Sequence, residues 1–145
     1  MTVIQRSAIV PFEAERMYAL VNDVAGYPAF LPWCRQATVL EAGEDTLSAS
    51  MELHKGPLHY TLTTRNDMTP GESIRMTLVD GPFKHLNGFW QFKPLGETGC
   101  DVSLQLEFEF QNRMVAMALG KTFDHIANTL VDSFCERAFQ LYGAG

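Results

Sequence analysis

The chain has 145 residues, 46% of them hydrophobic and 19% charged, which suits one folded domain and excludes a disordered composition. A formal net charge of −6 speaks against a broad nucleic-acid-binding face, and DNA is not expected as a partner. The cysteines Cys34, Cys100 and Cys135 stand far apart with no CxxC pair, so they predict reduced thiols rather than a metal site or a disulfide framework. No apolar run reaches the roughly 20 residues of a membrane span. The N-terminal MTVIQRSAIVPF lacks the apolar core of a signal peptide, so a cytoplasmic location is expected for a bacterial source.

Thr2 to Val10 predicts a strand, ended by Pro11. Glu13 to Val24 predicts a short helix, with Met17, Leu20, Val21 and Val24 on one face. Glu13 and Glu15 complement the dipole of its first turn. Gly26 is the expected C-terminal cap, and Pro28 blocks continuation. The stretch Tyr27 to Trp33 is aromatic for a loop, with Tyr27, Phe30 and Trp33 between prolines. Such a loop plugs one end of a core, forms a pocket mouth, or touches a membrane, and the first two roles are compatible.

From Arg35 to Gln111 the period changes to two. Met51 and Leu53 alternate with Ser50 and Glu52, Tyr60 and Leu62 with His59 and Thr61, and Met76 and Leu78 with Arg75 and Thr77. Leu104, Leu106 and Phe108 alternate with Gln105 and Glu107. One face is apolar and the other wet, which indicates antiparallel strands, and the short Gly- and Pro-containing turns between them favour a meander. Arg113 to Tyr142 returns to helical spacing through Leu119, Phe123, Ile126, Leu130 and Phe134, with Asn112 as N-cap and Gly120 as the expected site of a bend.

These elements imply a pocket. One helix about 10 Å across cannot cover a flat sheet of six or seven strands spaced about 4.8 Å apart. The sheet must curl around the helix, and the gap becomes a cavity wherever side chains leave it unfilled. Met51, Met76, Met114 and Met117 are candidate liners, because the unbranched thioether adapts to varied apolar ligands. Trp90 and Phe92 share an inward face, with Trp90 expected to pack near Phe123 or Ile126. Tyr60 is a candidate polar partner for a ligand head, and the aromatic loop with Met114 and Met117 is the expected gate.

No GxSxG, P-loop, HExxH or dinucleotide motif occurs, and no catalytic residue is assigned. An enzyme reading would need an acid or base on the inner face, such as His59 or Glu52 if the strand phases slipped by one residue.

Four segments carry a resemblance: LVNDVAGYPAFLPWC (Leu20 to Cys34), TTRN (Thr63 to Asn66), LVDGPFKHLNGFWQFKPL (Leu78 to Leu95) and LEFEFQNRMV (Leu106 to Val115). In order, and over nearly the whole chain, they resemble the coenzyme Q-binding, START-like family. That family also takes in ribosome-associated toxins and proteins labelled oligoketide or polyketide cyclases. The resemblance implies an α+β helix-grip fold, START-like or Bet v 1-like, with a single domain over residues 1–145.

The resemblance also implies an isoprenoid quinone or other lipid, bound as a ligand rather than a cofactor. The expected ligand-binding set is Tyr27, Phe30, Trp33, Met51, Tyr60, Leu62, Met76 and Leu78 from the first half. From the second half it is Trp90, Phe92, Leu106, Phe108, Met114, Met117, Phe123 and Ile126. The competing implication is association with the large ribosomal subunit, for which Arg35, Lys55, Arg65, Lys84, Lys93, Arg113 and Lys121 are the available cations. A lipid carrier would also make transient contact with the inner membrane.

Overall fold

The computed structural model describes residues 2–143. In chain order the elements are β1 (Thr2–Val10), α1 (Ala14–Asn22), a 3-10 segment (Val24–Ala29), β2 (Cys34–Ala42), β3 (Thr46–Lys55), β4 (Leu58–Thr69), β5 (Ser73–Asp80), β6 (Phe83–Leu95), β7 (Gly99–Phe110) and α2 (Arg113–Tyr142). All seven strands join one antiparallel sheet, ordered β1-β7-β6-β5-β4-β3-β2. Strands β2 to β7 form the expected meander. β1 returns beside β7, so α1 and the 3-10 segment run from one edge of the sheet to the other.

Register shifts bend the sheet. They fall at Cys34/Gln36 and Val39/Glu41 on β2, at Thr63/Thr64 on β4 and at Phe83/His85 on β6. An extra residue on one strand bends it and adds twist, and repeated bulges curl the sheet around α2. The period-two pattern survives this bending: Val102, Leu104, Leu106 and Phe108 are all buried, whereas their neighbours reach solvent. The helix-grip architecture inferred from the sequence is the one observed.

The start of the chain departs from expectation. α1 spans Ala14 to Asn22 rather than Glu13 to Val24, with Glu13 as its N-cap. Gly26 does not cap it; the chain tightens into the 3-10 segment, which holds Gly26 and Pro28 within it. Gly26 N–H donates to the Asp23 carbonyl at 3.1 Å, an i to i+3 bond that sets this tighter winding.

α2 has the expected limits. The Asn112 side chain accepts from Val115 N–H at 2.9 Å, satisfying one of the free donors of the first turn. The helix continues through Gly120 without interruption. At about 1.5 Å per residue it is roughly 45 Å long, longer than any strand it crosses.

Candidate functional site

The inward stripe of α2 runs Leu119, Phe123, Ile126, Ala127, Val131, Phe134, Ala138. Its two phenylalanines anchor two aromatic groups. Phe123 meets Phe83 at 4.7 Å and Phe108 at 4.8 Å between ring centroids. Phe134 meets Tyr27 at 5.2 Å, Phe30 at 5.3 Å and Trp90 at 5.3 Å, all edge-on. Between these groups the helix presents the small Ala127. A cavity of about 60 Å³ opens there.

Nine of the sequence-predicted residues line this cavity: Tyr27, Trp33, Met51, Leu62, Met76, Trp90, Leu106, Phe123 and Ile126. Leu53, Leu86, Ala127, Leu130 and Phe134 complete the lining. Leu53, Leu86, Leu130 and Phe134 fall on inward phases of their strands and helix, whereas Ala127 was not singled out, and nothing in the pattern separates a pocket wall from ordinary core. The lining carries no Asp, Glu, Lys, Arg or His.

The remaining candidates lie elsewhere. Phe92 is buried behind Trp90, stacked on it at 6.2 Å, and Phe108 is buried behind Phe123. Leu78 is half-buried on the inner face of β5, and Phe30 packs outside Tyr27. Tyr60 lines a narrow crevice with Leu53, Leu58, Leu119 and Ile126, one residue away from the cavity. Trp90 lines the cavity together with Phe123 and Ile126, as expected, and its ring partner on the helix is Phe134, two to three turns further on.

Met114 and Met117 are 80% and 81% exposed and do not line the site. Extending the stripe back from Leu119 leads to Val115 and Ala116, which leaves both methionines on the solvent side of the first turns. The helix start therefore does not form the expected gate. Trp33 and Ile126 line both the cavity and an open groove of about 520 Å³, flanked by Pro32, His54, Lys121 and His125. That groove lies between the aromatic loop and the middle of α2.

Two ionisable groups beside the cavity are held neutral. The Tyr27 hydroxyl donates to the Val21 carbonyl. Burial, with Cys34 and Asp23 adding, pushes the Tyr27 phenol above its ordinary range. Burial likewise pushes the Cys34 thiol up to about 11, against a weaker opposing hydrogen bond at Gln36. His59 and Glu52, the candidate acid and base for an enzyme reading, pair at 2.8 Å on the outer face of the sheet. Among the described residues no three His, Cys, Asp or Glu side chains gather as a metal site.

A curled antiparallel sheet closed by one long helix over an apolar cavity defines a START-like domain. Residues 10–135 match the family described as polyketide cyclase / dehydrase and lipid transport, and the chain belongs to that family. It is 50% identical over 142 residues to the ribosome association toxin RatA of Pseudomonas aeruginosa, covering 98% of this chain and 99% of that one. It is 29% identical over 142 residues to the mitochondrial coenzyme Q-binding protein COQ10 homolog B of Xenopus laevis, covering 94% of this chain and 58% of that one. The Zhui aromatase/cyclase from Streptomyces sp. R1128 has the same fold, with a TM-score of 0.86 at 17% identity, covering 99% of this chain and 98% of that one.

Proposed function

We propose that the protein binds a neutral apolar lipid, an isoprenoid quinone first among them, between the sheet and α2, and carries it in support of respiration. The observation that carries this reading is the cavity: apolar walls, an aromatic group at each end, and no charged side chain in the lining. Its volume of about 60 Å³ corresponds to about two waters, so a ring enters only by displacing side chains. Met51 and Met76 are the unbranched members of the wall and yield most easily. A long tail exceeds the enclosed space and leaves past Trp33 and Ile126 into the outer groove. The coenzyme Q-binding relative supports the choice of ligand. No helix among the described residues is long and apolar enough to cross a membrane. The carrier would collect its cargo by transient contact at the cytoplasmic face of the inner membrane.

Titration with a short-tailed ubiquinone, read by tryptophan emission, tests this directly, because both Trp33 and Trp90 line the cavity. Saturable quenching is expected. Quenching that rises linearly without saturation would reject the reading.

A second reading, association with the large ribosomal subunit, is favoured by the full-length relative named ribosome association toxin. It would use a different part of the molecule. Arg65, Lys84 and Lys93 stand on the outer face of the sheet, whereas Arg113 and Lys121 belong to α2. Arg65 pairs with Asp67 at 3.5 Å and Lys84 with Glu109 at 3.8 Å, so these two cations are partly neutralised. The Lys55 side chain lies outside what the structure describes. Co-sedimentation with the large subunit on sucrose gradients, weakening steeply with salt, is the expected sign of this activity. A cyclase reading has the fold likeness behind it but lacks an acid or base in the cavity lining.

A further inference from the structure

The inward face of β4 runs Tyr60, Leu62, Thr64, Asn66 and Met68. Thr64 is 2% exposed and Asn66 6%, and they are the buried polar side chains among the described residues. Asn66 stands directly across from Met76 on β5, and Met76 lines the cavity. The Asn66 Oδ1 is fully buried with no hydrogen-bond partner among the described residues. The other such oxygen belongs to Asn22 on α1, a residue only half-buried.

A buried amide oxygen without a partner has lost its water and gained nothing in return, and such groups are few in native proteins. An apolar side chain would avoid this penalty, as Leu62 and Met68 do two residues away on either flank of the polar pair. Met76, the cross-strand neighbour of Asn66 and part of the cavity wall, is unbranched and moves easily. The terminal methyl of Met76 lies over Gly88, 2.6 Å from where a β-carbon on that residue would sit. The missing side chain at Gly88 provides the notch in which the thioether rests.

We propose that Asn66 is the specificity-determining residue of the site, its amide hydrogen-bonding a ring carbonyl or hydroxyl of the ligand once Met76 has moved aside. This rests on the apolar-ligand reading above and narrows it. The amide is neutral, and the lining holds no cation to receive a carboxylate or phosphate head. The ligand is therefore a neutral, oxygenated ring on an apolar tail, rather than a fatty acid or phospholipid. Half a turn about the last side-chain bond exchanges the N–H and C=O ends with little change of shape. Asn66 thus donates to the carbonyl of an oxidised ring or accepts from the hydroxyl of a reduced one, and the site holds both forms.

The test uses the full chain with two probes of equal tail length, a decyl-tailed ubiquinone and a decylbenzene. The wild type is expected to bind the quinone about tenfold more tightly, the equivalent of one hydrogen bond. Asn66→Leu should erase that preference by weakening the quinone alone, and should raise the Tm of the ligand-free protein. Asn66→Ser, polar but too short to reach, reads the same ratio should the leucine variant fail to fold. A preference that survives both substitutions, or a lowered Tm for Asn66→Leu with the preference intact, would overturn the proposal and make the amide structural. Equal binding of both probes by the wild type removes the role of Asn66 and leaves the apolar cavity standing. Binding of neither probe removes the cavity reading and Asn66 with it.

Discussion

The two faces of the sheet are made from the same strands and differ in almost every chemical respect. Along β7 the inner face presents Val102, Leu104, Leu106 and Phe108, all buried, and the outer face presents Ser103, Gln105, Glu107 and Glu109. The inner face packs aromatic rings against α2 and leaves a small dry space. The outer face is a field of mixed charge, with ion pairs at Arg65–Asp67 and Lys84–Glu109, a 2.8 Å contact between His59 and Glu52, and Arg75 over the Phe89 ring at 4.6 Å. Exposed pairs of this kind stabilise a fold by only about 0.2–1 kcal/mol each. The contrast separates the two functional readings: a lipid would use the inner face, whereas a ribosome would meet the outer one or α2.

That contrast sets a scale of expected effects. The largest belongs to Phe134, which is fully buried and meets Tyr27, Phe30 and Trp90. Phe134→Ala should destabilise by about 3–5 kcal/mol in urea unfolding, because three aromatic contacts end on one ring. A loss near 1 kcal/mol would mean that the aromatic group does not hold the inner face together. Ala127→Val should change stability by only about 1 kcal/mol, since the added methyl groups enter existing space. It should nevertheless abolish saturable quinone binding, and retained binding would place the ligand elsewhere.

On the outer face, Glu52→Gln removes one side of the half-exposed His59 pair and should cost about 0.2–1 kcal/mol at most, with quinone binding unchanged. The smallest effect concerns the thiols. Burial pushes Cys34 and Cys135 up to about 11 from an ordinary 9, which disfavours the thiolate in the folded state. The stability linked to these protonated thiols is fully present below pH 9 and is lost as the pH rises towards 11. At pH 8 iodoacetamide should modify the native protein more slowly than the urea-unfolded chain; equal rates would show that the inner side is open to solvent.

The architecture was legible because its signals are local. Strict alternation from Val102 to Phe110 fixed the inward phase of β7, and the spacing from Leu119 to Phe134 together with Asn112 fixed α2. The site was legible only as a set of inward positions. Whether facing side chains fill the gap or leave space depends on elements far apart in sequence, here Ala127 against Met76 and Leu86. The error over Met114 and Met117 came from assigning liners by residue type; the helical stripe, extended backward, excludes both. The 3-10 segment was missed because Pro28 was read as a stop, whereas the tighter winding accommodates it. Counting by two from Leu62 places Thr64 and Asn66 inside, but a polar residue at an inward position looks like the end of the pattern.

The central claim is that the inner cavity holds a neutral apolar lipid, and the most direct measurement is what the protein carries when purified from its own host. Organic extraction and mass spectrometry of the wild type and of Ala127→Val, purified in parallel, make the comparison. The wild type should yield an isoprenoid quinone or a related neutral ring lipid in near-stoichiometric amount, and Ala127→Val little or none. A wild type that carries no lipid, or equal amounts of lipid in both preparations, would contradict the account.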